Sequence, residues 1–308
     1  MDPAVLVDEV NRHSDLGLRL TGRAEQGEVG AGYVQLADGT AAVLTVSGAT
    51  PSELACTAAG LDRIAAAVPV PRYLRIVDLG HRRAIIQQRL PGRAPDRVDA
   101  ALIGQLVDVV DQFRGVGGTL DPVNLYLRSS GPGFCVHETL AAFDGRSRRL
   151  LARIQSVGAA APEREPGDDL VHLDLHPGNV LIEPGRRSDH GLHPGRLSGL
   201  VDWDGIGSGD RRFGLVTLSF DVAHGILFDP RYAGLEAGDL EPILSRLAAV
   251  PVERVRAWWA SMSLRQVDWT IRHGYPTATV DFYLTLANRG LDELQSGPLS
   301  IGTLTGPH

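Results

Sequence analysis

The residues of this chain best suited to chemistry run from Val171 to Asn179, V-H-L-D-L-H-P-G-N, and from Val201 to Gly205, V-D-W-D-G. In the first stretch Val171, Leu173 and Leu175 alternate with His172, Asp174 and His176. Period-two alternation predicts a short extended segment with the polar set on one face. Pro177 cannot continue a ladder and Gly178 frees the backbone, so the chain is expected to turn just before Asn179. Two chemistries suit these residue types. Two imidazoles and a carboxylate on one strand face could hold iron or zinc. Against this, oxygenases with that ligand set sit on all-β barrels, the surrounding pattern is helical, and no cysteine lies nearby.

Spacing favours the second chemistry. Asp174 and Asn179 are five apart, and Asp202 follows the short apolar run Leu200-Val201. H-x-D-x-x-x-x-N with a later Asp is the arrangement used for phosphoryl transfer. A triphosphate needs Mg²⁺ to neutralise developing charge, and Mg²⁺ prefers hard oxygens such as the Asn179 amide and the Asp202 carboxylate. The acceptor hydroxyl must be oriented and finally lose its proton, which Asp174 can accept.

The elements that must position these groups follow from the pattern along the chain. Leu18–Leu20, Tyr33–Leu36, Ala42–Val46, Tyr73–Val77 and Ala84–Gln88 read as short strands, with Asp38-Gly39 as a hairpin turn. The first turn, residues 25–32, holds Gly27, Gly30 and Gly32. Such a loop can bring backbone N–H groups to phosphate oxygens, or be an ordinary hairpin. Thr50-Pro51-Ser52-Glu53 starts a helix with Leu54, Leu61, Ile64 and Val68 as its apolar stripe. Arg89 to Pro95, rich in proline and glycine, reads as a linker. Beyond it the spacing is helical: Leu102 to Phe113, Leu150 to Val157, and roughly 213–228, 240–249, 253–273 and 280–295. Glu183 to Gly199 reads as an irregular loop that caps a substrate or carries no order. The expected class is α+β, with a small β-rich lobe over residues 1–90, a hinge near 88–92, and a larger, mainly helical lobe over 93–308.

Composition narrows the partners. The 308-residue chain has a formal charge of −7, giving no sign of nucleic-acid or membrane-surface binding. Two cysteines are too few for a disulfide framework, and the N-terminus lacks the basic and apolar regions of a signal peptide, so a cytoplasmic location is expected. All 30 basic residues are arginine; there is no lysine.

H-L-D-L-H-P-G-N-V-L followed by V-D-W-D-G resembles the aminoglycoside phosphotransferase-like (choline kinase-type) family of small-molecule kinases, which share the bilobal protein-kinase-like fold. The family usually has Gly where this chain has Leu173. The likeness covers about residues 17–290, with specific motifs in the second lobe and a weak match in the first. It implies Asp174 as catalytic base and Mg²⁺ on Asn179 and Asp202, with ATP or GTP as co-substrate and a hydroxyl-bearing small molecule as acceptor. Asp204 is assigned either to the metal shell or to structure. His172 is expected to hold the loop; His176 stands where protein kinases carry a lysine near the transferring phosphate. Gln88 to Leu90 would hydrogen-bond the purine, Leu181 would lie beneath it, and Glu53 would orient the phosphate-binding lysine.

That lysine is absent. Where the family reads Val-Leu-Lys-Val, this chain reads Val43-Leu44-Thr45-Val46, which removes a charged contact to the α- and β-phosphates. Arg19, Arg23, Arg75, Arg82 and Arg83 are the first-lobe candidates to replace it, from different backbone positions. Two function classes follow: an active kinase on an antibiotic or biosynthetic intermediate, with antibiotic resistance as one outcome, or a pseudokinase that binds or regulates. Asp221, Asp229, Asp268 and Asp281 could face a cationic aminosugar or be solvated helix faces. Trp258, Trp259 and Trp269 could line a pocket or fill the core.

Overall fold

The first helix forms for local reasons. In α1 (Pro3–His13) the Asp2 side chain accepts from the Ala4 N–H at 2.9 Å, Pro3 takes the first turn, and Leu6, Val7 and Val10 share the buried face. No element before Gly17 follows from the motif-centred reading above, although this cap was legible. A computed structural model of the chain describes residues 2–24, 31–131, 135–183, 187–188, 191–192 and 195–306. The strands β1 (Arg19–Arg23), β2 (Gly32–Gln35), β3 (Ala41–Ser47), β4 (Tyr73–Asp78) and β5 (Arg83–Gln88) follow, with α2 (Pro51–Ile64) between β3 and β4. The sheet runs β1-β2-β3-β5-β4, every pairing antiparallel. Asp38-Gly39 makes the expected β2–β3 turn, with Gly39 at φ +87° and the Leu36 N–H donating to the Thr40 carbonyl at 3.0 Å.

One face of this sheet carries Val34, Ala42, Leu44, Val77, Ala84 and Ile86, packed with Leu6, Val7 and Val10 of α1. Alternation therefore turns Tyr33, Val43, Thr45, Ser47, Arg83, Ile85 and Gln87 to the other face. α2 begins with a capping box: the Thr50 side chain accepts from the Glu53 N–H, and the Glu53 carboxylate accepts from the Thr50 N–H at 2.6 Å.

The remaining chain is mostly helical: α3 (Ala100–Asp111), α4 (His137–Phe143), α5 (Gly145–Ala160), then β6 (Asp169–His172) and a single 3₁₀ turn, Pro177–Asn179. β7 (Val180–Glu183), β8 (Arg187–Ser188), β9 (Gly191–Leu192) and β10 (Arg196–Leu200) come next. The loop expected over 183–199 is therefore shorter, because Arg196–Leu200 pairs antiparallel with β7. After β11 (Ile206–Gly209) come α6 (Phe213–Phe228), α7 (Glu241–Ala248), α8 (Val252–Arg272), α9 (Thr277–Ser296) and α10 (Ile301–Thr305). By contacts the chain forms two units, Met1–Pro95 with Pro177–Ile206, and Asp96–His176 with Gly207–His308. In the helical unit Trp258 and Trp259 are fully buried, Trp258 stacked on Phe213 and Trp259 tilted against Phe220, so both are core residues. Trp269 packs on His273. Among the described residues no helix is long and apolar enough to cross a membrane.

Candidate active site

In the helical unit β6 ends at His172, and Leu173 and Asp174 enter a turn. Val171, Leu173 and Leu175 are buried as the alternation requires, yet His172 is only 1% exposed. The three polar residues therefore do not share one open face. The His172 Nδ1 accepts from the Asp174 backbone N–H at 3.2 Å, bracing the turn, so a His-Asp-His metal triad is not formed. Thr217 on α6 donates to the Leu173 carbonyl at 3.2 Å and holds the same turn from the other side.

His176 lies among carboxylates. Its Nε2 is 3.5 Å from Asp174 Oδ2 and its Nδ1 is 3.6 Å from Asp221 Oδ1. The other Asp221 oxygen accepts from the Tyr232 hydroxyl at 2.5 Å. Burial by itself pushes the Asp174 carboxyl up, but the His176 hydrogen bond and the positive charges of His176 and Arg265 outweigh it. The result is a carboxyl held well below the usual range. Asp174 is thus ionised across neutral pH.

The other unit holds the remaining motif residues. Asn179 closes the 3₁₀ turn and is buried, and its carbonyl accepts from the Val201 N–H at 2.9 Å. Asp202 follows at once with φ +61°, a left-handed conformation that a short polar side chain tolerates. The buried Trp203, whose indole N–H donates to the Leu200 carbonyl at 2.8 Å, anchors this turn. Asp204 accepts from the Ser47 hydroxyl at the end of β3. Partial desolvation raises its carboxyl more than the Ser47 hydroxyl lowers it. The Tyr73 phenol is pushed up by burial and then by the negative charges of Asp204 and Asp202, so all three groups adjoin.

Thr45 lies half-buried opposite Ile85, on the sheet face turned away from α1. Glu53 is exposed and serves the helix start; Thr50 N–H and hydroxyl contacts are the main reason its carboxyl is lowered. Gln88 ends β5, its N–H donating to the Arg72 carbonyl at 2.8 Å. Leu90 and Leu181 converge on Gly199, where a Cβ would lie 3.0 Å and 2.9 Å from their methyl groups. The segment between is tied down by Ser198, whose hydroxyl donates to the Pro91 carbonyl at 2.8 Å, and by a two-way backbone bridge from Arg93 to Ile182. Gly92 is required there: φ is +96° and a Cβ would sit 2.2 Å from Ser198 Oγ. Gly27 and Gly30 lie outside the described residues.

Sequence reasoning missed the partners more than the motif. Tyr73, Ser47 and Tyr232 carry no spacing signal, since each reaches its partner only through the fold. The four acidic candidates for a cationic acceptor all have protein partners. Asp221 has Tyr232 and His176, Asp229 has Arg231 at 2.6 Å, and Asp281 has Arg146 at 2.7 Å. Asp268, fully buried, is held by Arg272 and the Val136 N–H.

Comparisons with known proteins show the family and the fold. The model of the phosphotransferase enzyme family APH matches residues 32–250. A search of curated proteins returns no match. Among solved structures, a thermostable mutant of aminoglycoside phosphotransferase APH(4)-Ia in ternary complex with AMP-PNP and hygromycin B is 16% identical, with TM-score 0.62 over 96% of this chain and 99% of that one. The GDP and kanamycin complex of APH(2")-IIia is 14% identical, with TM-score 0.53 over 93% and 97%. The macrolide 2'-phosphotransferase MphH from Brachybacterium faecium is 18% identical, with TM-score 0.50 over 99% of each chain. At these identities the likeness is one of fold, the bilobal kinase-like one.

Proposed function

Because the chain belongs to the phosphotransferase enzyme family, we propose that it transfers the γ-phosphate of ATP or GTP to a hydroxyl of a small molecule. The observation that carries this reading is the backbone bond from Val201 to Asn179, which puts Asp202 and Asn179 side by side, while Asp174, five residues before Asn179, is kept ionised.

Mg²⁺ fits the donor set. An amide oxygen and a carboxylate on adjoining turns are two hard ligands, the number a protein typically offers when phosphates and water complete the shell. Bound there, the ion would neutralise charge on the β- and γ-phosphates. Asn179 and Asp202 would hold it, backbone groups from Gln88 to Leu90 would hydrogen-bond the purine, and Leu181 would lie beneath it. Asp174 would accept a hydrogen bond from the acceptor hydroxyl, aim the hydroxyl oxygen at the γ-phosphorus, and take its proton as the new O–P bond forms and the γ-phosphorus bond to the β-phosphate oxygen breaks, releasing ADP or GDP. Its depressed pKa suits a loose transition state, in which orientation matters more than early proton removal. Asp221 and Tyr232 keep His176 against Asp174, steadying the negative charge between turnovers.

The relatives bind hygromycin B or kanamycin, or are named for macrolides, which makes hydroxylated antibiotics the first acceptors to try. The four partnered carboxylates give no special support to a polycation. A second reading, a pseudokinase, is favoured by one observation, the neutral Thr45 in place of the lysine. Incubation with ATP or GTP, Mg²⁺ and a panel of aminoglycosides and macrolides, read by mass, separates the two. A one-phosphoryl gain that disappears in Asp174→Ala supports the kinase; nucleotide binding without product on any acceptor supports the pseudokinase.

A further inference from the structure

Of the five arginines able to replace the missing lysine, four are engaged elsewhere. Arg19 hydrogen-bonds Gln35 at the β1 edge, and Arg23 pairs with Asp2. Arg75 is exposed and turns back to the Leu74 carbonyl. Arg82 pairs with Glu9 of α1 at 2.5 Å, beside the helix that covers the opposite sheet face.

Arg83 differs in the sheet face it occupies and in the weakness of its pairing. It opens β5 directly opposite Ser47, in the same face as Thr45, Ile85 and Gln87. Thr45 and Arg83 are therefore diagonal neighbours, with Cα atoms about 7–8 Å apart in such a ladder. Ser47, its cross-strand partner, ends β3 two residues beyond Thr45, and Arg83 lies in the same compact unit as Asn179 and Asp202. Its charge is felt at Glu53, the acidic residue of α2 that the lysine would have faced. Among the described residues its Nε is buried without a hydrogen bond, and its ion pair with the exposed Asp78 is long at 3.8 Å. An exposed pair of that length holds a guanidinium weakly.

We propose that Arg83 supplies the cationic contact to the nucleotide's α- or β-phosphate that Thr45 cannot. The assignment rests on the kinase reading above. A planar guanidinium suits two phosphate oxygens at once, and its longer stem makes up for the displaced backbone position.

The test is calorimetric binding of Mg·ADP, Mg·GDP, adenosine and guanosine to the full chain and its variants. The wild type is expected to bind one diphosphate more tightly than its nucleoside. Arg83→Ala and Arg83→Gln should weaken the diphosphate about 10- to 100-fold and leave the nucleoside unchanged, as expected for loss of a charge-assisted bond. Arg82→Ala should stay within about 3-fold of wild type, because its guanidinium is spent on Glu9 of α1, on the sheet face turned away from Thr45. The double variant Thr45→Lys/Arg83→Ala should recover most of the loss. Unchanged diphosphate affinity in both Arg83 variants overturns the assignment alone. Equal loss of diphosphate and nucleoside overturns it too, since that marks structural damage. A wild type that binds no nucleotide overturns the kinase reading along with it.

Discussion

The two units hold their polar groups by different means. In the unit built from Met1–Pro95 and Pro177–Ile206, backbone geometry does the work: a Val201 N–H on the Asn179 carbonyl, a left-handed Asp202, a glycine at 92 that only a bare Cα can occupy. In the helical unit Asp174 is set by side chains, through His172, His176, Asp221 and Tyr232. Backbone devices impose residue types and short spacings. Side-chain networks join residues dozens of positions apart and tolerate more substitution. The first unit would therefore fail in nucleotide and metal binding, and the second in turnover.

The largest expected effect is at Asp174. Replacement by Ala should lower kcat by about 10²–10⁴-fold while leaving the nucleotide KM near wild type, as steady-state kinetics on any accepted substrate would reveal. Next, Asp202→Asn should raise the Mg²⁺ concentration needed for half-maximal rate by about 10²-fold or more, from loss of a charged ligand. A shift confined to kcat would move Asp202 out of the metal site.

A smaller effect belongs to the His176 network. His176→Ala removes the contact that depresses Asp174, so the acid limb of the kcat profile should move to higher pH and neutral-pH turnover fall about 10-fold. An unmoved acid limb would show that Asp174 is held by other charges. Asp204 gives the reverse sign. Its raised carboxyl favours folding when protonated; that contribution is complete below the ordinary value of 3.8 and is lost as pH rises through the folded value. Asp204→Asn should therefore raise Tm at neutral pH only slightly, by about 1 °C or less without Mg²⁺ or nucleotide, because the side chain is exposed and solvent screens its charge. A lower Tm would instead mark the carboxylate as stabilising. The smallest effect is expected at Thr45: Thr45→Val should change diphosphate affinity by no more than about 3-fold, since a neutral hydroxyl offers phosphate little.

The five strands, the α2 start and six of the helices were legible because short-range patterns carry them: alternation, Thr50-Pro51 capping, and apolar residues at helical spacing. Asp174, Asn179 and Asp202 could be singled out because phosphoryl transfer fixes their spacing; their roles are those proposed above. The alternation misled at His172, where the strand ends and a buried imidazole takes a backbone N–H. It also missed β10, whose Arg196–Leu200 pairs with β7 across an intervening segment that looks irregular in sequence. The acidic residues of the later helices could be read as a cation site or as solvated faces; their arginine, tyrosine and histidine partners became visible only in the fold. Arg83 could be named in advance but not chosen, since the choice depends on sheet register.

The most direct measurement is calorimetric titration of Mg·AMP-PNP into Asp174→Asn and Asp202→Asn beside the wild type. The account predicts that Asp174→Asn binds as the wild type does while Asp202→Asn binds at least about 10-fold more weakly. Loss of binding in Asp174→Asn, or wild-type binding in Asp202→Asn, would contradict the division of nucleotide grip and base between the two units.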